Sequence, residues 1–129
     1  MSNSYPVEER FGEIVASENW GIVPYALYKY QRILDLGISD IWFVTWLFMH
    51  AWTEEDVYPS LNAMSRYTGK TRSYIQRIAR RLERKSLIVI RERRHESNAR
   101  MSNYYDIGPL TKKLEDLILD DPFSKRNKK

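Results

Sequence analysis

Cysteine is absent from the 129 residues, which excludes a disulfide framework and a thiolate zinc site together. Histidine occurs only twice. His50 lies in an apolar stretch, and His95 lies among arginines that repel a metal ion, so neither metal nor other cofactor is expected. Glycine and proline are scarce, five of each, too few for a low-complexity or collagen-like body. Thr68-Gly69-Lys70-Thr71 lacks the upstream glycine of a phosphate-binding loop. Long hydrophobic runs are missing too. The longest, Ile41 to Trp52, is 12 residues broken by Thr45 and His50, far short of the roughly 20 that span a bilayer. The acidic N-terminus has no apolar core and is not a secretory signal. Nothing spaces Ser, His and Asp as a triad, and Glu54-Glu55-Asp56 reads as a solvated turn. These absences point to a cytoplasmic, non-enzymatic protein without membrane or small-molecule cofactor.

What is present is an uneven charge. The formal net charge is +4. Between Arg66 and Arg100 stand 12 Lys or Arg against three acids, a net of +9, while the rest of the chain holds nine basic and 14 acidic residues, a net of −5. One stretch carries the whole positive excess, which suits a polyanionic partner. A solvated basic helix face is the simpler reading of charge alone.

The length suits one domain. Residues 1–21 read as an N-terminal arm, disordered to residue 10, with short strands at Phe11–Val15 and Trp20–Val23 around Ser17-Glu18-Asn19. Pro24 opens a helix to Leu36, and Gly37 is placed to stop it in a left-handed cap. Ser39 caps the next helix, with Asp40 at its positive end. That helix runs to Trp52 and is apolar on every face, so it is either central or covered by another subunit. Ser60 caps a third helix with Leu61 and Met64 inward. Thr68-Gly69-Lys70 is a tight turn, and Thr71 caps a fourth helix from Arg72 to Lys85. Leu87–Arg94 and Met101–Ile107 read as strands around a polar tip at His95–Ala99. Gly108-Pro109 ends the second strand, and Leu110–Leu119 is an amphipathic helix. Residues 120–129 read as a basic tail. The expected fold class is mainly α (α+β): a winged helix-turn-helix at 22–119 with a two-stranded wing, extra N-terminal helices and a C-terminal helix.

The fourth helix carries the chemistry. At ~100° per residue, Ile75, Ile78, Ala79 and Leu82 form one stripe. Ser73, Arg77, Arg80 and Arg84 lie opposite, flanked by Gln76 and Arg81. A helix fits the DNA major groove, where Arg can bond guanine through two donors and Gln can pair with adenine. Lys70, Thr71 and Arg72 stand at its start, and Arg84 and Lys85 are placed for phosphate. In the hairpin, Arg91, Arg93, Arg94, Asn98 and Arg100 suit a wing lying along the backbone or in the minor groove. Charges that keep an edge strand from aggregating are the bland alternative there.

The segment Ser39–Ile107 resembles the winged helix-turn-helix domains of phage and plasmid replication initiators. The residues that carry the likeness are Tyr58-Pro59-Ser60-Leu61, Thr71-Arg72 and Ser102-Asn103-Tyr104-Tyr105. Ile22-Val23-Pro24 with its helix, and Pro109-Leu110 with the last one, extend the likeness over 22–119 toward the N-terminal domain of DnaD-like primosome proteins. Ser86 departs from it, standing where such domains usually carry Gly. So does the end of the chain, where DnaD-like proteins usually continue into a second helical domain. The resemblance implies sequence-specific double-stranded DNA binding in replication initiation or replisome organisation, alongside other replication proteins. A small transcriptional regulator of the same fold suits the residues equally, and a protein-interaction module assembled through the aromatic helix is the reading of another class. RNA binding is a distant further one. A homodimer is expected through the first two helices and the arm, with Trp42, Trp46 and Trp52 as the apolar patch.

Overall fold

In the computed structural model, residues 7–18, 21–51, 60–92 and 103–124 are described. The fold is mainly helical with one small antiparallel sheet. The N-terminal arm corrects the expectation of strands. Val7–Phe11 (α1) and Glu13–Ser17 (α2) are short helices. Gly12, at φ 90°, separates the two helices.

The expected Pro24–Leu36 helix is shorter. Pro24 is the cap of Tyr25–Lys29 (α3), and turns follow to Asp35. The left-handed residue is Asp35, φ 56°, not Gly37. There the Leu36 amide donates to the Gln31 carbonyl (3.0 Å) and the Asp35 amide to that of Arg32 (3.1 Å). These are the two bonds of a Schellman closure, which turns both Leu34 and Leu36 into the core. Gly37 is extended (φ −80°) and caps Ile38–His50 (α4). Its N–H donates to Asp40 Oδ2 at 2.8 Å. Ser39, expected as the cap, is instead inside the helix. The α4 helix ends at His50, and Trp52 lies outside the described residues.

Leu61–Thr68 (α5) and Arg72–Arg84 (α6) follow the sequence expectation closely. Ser60 Oγ accepts the Ala63 amide and Thr71 Oγ1 the Tyr74 amide, both at 3.1 Å. Caps of this kind contribute about 1 kcal/mol each. Gly69 between the helices sits at φ 77°, with open space where a Cβ would go. Glycine is required there by backbone conformation, not by crowding.

The strands Val89–Arg91 (β1) and Tyr104–Asp106 (β2) pair antiparallel, Ile90 opposite Tyr105. β1 begins later than expected because Leu87 and Ile88 are spent on the core before pairing begins, and Arg93, Arg94, Met101 and Ser102 of the expected strands lie outside the described residues. Gly108-Pro109 does not merely end β2. It opens Gly108–Asp120 (α7), with Pro at the first turn and the Gly108 amide donating to Asp106 Oδ1 at 2.8 Å.

The core lies where α4, α5 and α6 meet the sheet. Phe43, Val44 and Leu47 meet Met64, Ile75, Ile78 and Leu82, with Tyr105 and Leu110 closing one side. The Phe43 and Tyr105 rings meet edge-on at 6.0 Å, a favoured geometry. Leu27 of α3 and Leu114 of α7 extend the cluster. Tyr30 Oη donates to Asp121 Oδ2 at 2.8 Å, joining the end of α3 to the end of α7. Burial and the adjacent carboxylate raise the Tyr30 pKa, while the Phe123 amide and the Tyr30 hydroxyl hold Asp121 below its usual range. No helix among the described residues is long and apolar enough to cross a membrane.

The end of α6 carries a local strain. Ser86 is left-handed, φ 61°. The Leu87 amide donates to the Leu82 carbonyl (3.1 Å) and the Ser86 amide to that of Glu83 (2.9 Å), a second Schellman closure with Leu82 and Leu87 buried together. A left-handed L-residue costs roughly 1–2 kcal/mol, partly offset in a glycine variant by the freer unfolded chain. Ser86→Gly is therefore expected to stabilise the protein by about 0.5–1 kcal/mol, read as a rise in Tm of a few degrees. A lower Tm would contradict the strain argument.

Candidate nucleic-acid interface

The α6 helix has one dry side and one wet side. Ile75, Ile78, Ala79 and Leu82 are buried. Ser73, Gln76, Arg77, Arg80 and Arg84 are exposed, as the helical spacing predicts. Burial of the apolar stripe therefore orients the arginines without any contact among them. Among the described residues, Arg77 and Arg84 have no ion-pair partner and Ser73 and Gln76 no side-chain hydrogen bond. Arg80 Nη1 lies 3.1 Å from Glu83 Oε1, an exposed pair one turn apart of the sort worth a few tenths of a kcal/mol. It leaves most of the donors of Arg80 available. The first turn of α6 contains no acid, so nothing there offsets the positive end of the helix.

Arg81 departs from the expectation. The helical wheel places it beside the outward face, but its guanidinium is committed to α4. Nε donates to Asp40 Oδ1 at 3.0 Å and Nη2 to Ser39 Oγ at 3.1 Å. The Asp40 side chain is 4% exposed and that of Arg81 39%. A buried carboxylate needs a charged partner, and Arg81 is the cation that the crossing of α4 over α6 brings to it. Arg81 thus fixes the angle of α6. Lys85 plays a similar part, its Nζ bonding the Asp35 carbonyl and lying 3.6 Å from the carboxylate.

The start of α6 is also built. Thr71 has its hydroxyl oxygen occupied by the cap bond. Arg72 Nη1 donates to Asn62 Oδ1 at 3.0 Å. Asn62, ten residues upstream on α5, has no local signal in the sequence; only the crossing of α5 and α6 places it there. The Lys70 ammonium stands 5.6 Å over the Tyr74 ring. Arg66 and Tyr67, also absent from the sequence reading, pair as cation and ring at 5.1 Å on the exposed end of α5.

In the hairpin, Arg91 is exposed on β1, its guanidinium 5.7 Å from the Tyr104 ring on β2. Arg93, Arg94, Asn98 and Arg100 lie outside the described residues. With this geometry in place, comparison with known proteins adds no identity. No family model and no curated protein matches the chain. Among the described residues no group of three or more acids or imidazoles could hold a metal ion. What the face offers chemically is a row of guanidiniums, an amide and a hydroxyl on a convex helix. These are donors for anionic oxygens and for base edges.

Proposed function

We propose that this protein is a winged helix-turn-helix that binds double-stranded DNA, with α6 as the reading helix and the β1–β2 hairpin as the base of its wing. The observation that carries the reading is the outward face of α6, where Ser73, Gln76, Arg77, Arg80 and Arg84 are exposed opposite a fully buried apolar stripe. Arg77 and Arg80 are read as base contacts and Arg84 as a phosphate contact, with Gln76 suited to adenine. Arg81 belongs to the scaffold. Lys70 and Arg72 lie at the leading end of the helix, where major-groove helices approach base edges. Support comes also from the order of elements: two helices joined at a left-handed glycine, followed directly by a two-stranded hairpin. The protein is read as non-enzymatic and cytoplasmic. Replication initiation or replisome organisation is the proposed process, on the resemblance across residues 22–119.

The test is duplex binding as a function of salt. If about six phosphates are neutralised per chain, log K falls with log salt at a slope near −5. A flat titration would instead favour a protein-interaction module with an incidental basic face.

A further inference from the structure

The α4 helix has two apolar faces, and the core uses one. Ile41, Phe43, Val44, Leu47 and Phe48 are buried. At ~100° per residue, Ile38, Trp42, Thr45, Trp46 and Met49 share an arc on the other side. Ile38 is 86% exposed and Met49 is exposed, while Trp42 and Trp46 are half-buried. Thr45 Oγ1 donates to the Trp42 carbonyl at 2.7 Å, so its polar atom is satisfied within the helix and the stripe stays apolar.

Cations border this stripe. Trp42 meets Tyr74 of α6 at 6.4 Å, and Lys70 stands over that same ring. Arg81 bonds Ser39 and Asp40. The chemical complement is an acidic amphipathic segment, and the chain contains one. In α1 and α2 no residue is buried. Phe11 at the end of α1 and Ile14 and Val15 in α2 are all exposed, Ile14 at 85%. Around them stand Glu8, Glu9, Glu13 and Glu18 against Arg10. Helices of five residues are not stable in water without a surface to pack on.

The root of the arm lies at the stripe. A Cβ on Gly21 would come within 2.6 Å of Met49 Cα, so the backbone is pressed against the C-terminal end of the stripe. Even so, among the described residues Phe11, Ile14 and Val15 of the arm and Ile38 and Met49 at the two ends of the stripe stay exposed, while Trp42 and Trp46 are half-buried against the core. We infer that the arm of one copy, residues 7–18, packs along the α4 stripe of a second copy, apolar side to apolar side, with its carboxylates toward Lys70. Reciprocal exchange closes the contact into a twofold dimer. This gives a specific form to the dimer expected through the first two helices and the arm, and it differs from a direct pairing of two α4 helices. That pairing would bring the cation rows of both copies together, whereas the acidic arm neutralises them. The inference does not depend on DNA binding.

Light scattering on the full chain at micromolar concentration tests it, with circular dichroism to confirm folding. The unaltered protein is expected at the mass of two chains. Ile14→Asp in the arm and Ile38→Asp in the stripe change exposed side chains, and each is expected to weaken the dimer at least tenfold. An equimolar mixture of the two variants should recover dimer, because one intact arm then meets one intact stripe. A single-chain mass for the unaltered protein over a tenfold concentration range overturns the inference. So does an Ile14→Asp variant that remains fully dimeric, or a mixture that stays monomeric.

Discussion

Replacing Arg77 and Arg80 together by alanine is expected to lower duplex affinity about 30- to 20,000-fold. Each base-reading arginine contributes roughly 1–3 kcal/mol, and the two lie on one exposed face without a shared partner. Stability should barely change, since the only ion pair lost is the exposed one between Arg80 and Glu83. Arg81→Ala is the informative contrast. It removes one more positive charge from the same helix, but its guanidinium is bonded to Asp40 and Ser39. Its main loss should therefore appear in the unfolding midpoint. Mobility shifts on a set of duplexes, with unfolding curves for the same variants, separate the two effects. Unaltered affinity in the double variant would falsify α6 as the reading helix.

The second large effect is expected at Asp40. Its carboxylate accepts the Gly37 amide at the start of α4 and the Arg81 guanidinium from α6. Asp40→Ala removes a cap and strands a half-buried cation. Breaking a buried pair costs ~3–5 kcal/mol, and the partial exposure of Arg81 lets water recover some of that. A loss of about 2–4 kcal/mol is expected in urea unfolding. Asp40→Asn, which keeps an oxygen for the Gly37 amide, should lose less. A double-mutant cycle with Arg81→Ala should show coupling of about 1–3 kcal/mol. A destabilisation below about 1 kcal/mol would mean that the pair is mostly solvated.

The features legible in the sequence are those with local causes. Ser60, Gly69 and Thr71 act within three or four residues of their own positions, so the start of α5, the turn and the start of α6 follow from residue chemistry. The α6 wheel is equally local: a buried stripe dictates an exposed one. The misread features involve competition between neighbours or contacts across the fold. Gly37 is the residue best suited to a left-handed cap, yet Asp35 takes that conformation because Leu34 and Leu36 must both turn inward. Ser39 is suited to cap α4 by its hydroxyl, yet Gly37 takes the cap position and Asp40 accepts its amide. Arg81 and Asp40 are 41 residues apart, as Arg72 and Asn62 are ten. Neither spacing has a meaning until α4, α5 and α6 cross. In the arm, five-residue helices are too short to establish a period against an alternating pattern.

The bond between Tyr30 and Asp121 closes a loop of 91 residues. Loop closure is entropically the more costly the longer the loop, so this contact is poorly placed to form early. The helices joined at Gly69 need to close only short stretches of chain. Assembly should therefore begin around α5 and α6, and the junction of α3 with the end of α7 should be added after the main barrier. An interaction made that late acts as a latch: it slows the escape from the native state and leaves the rate of reaching it almost untouched.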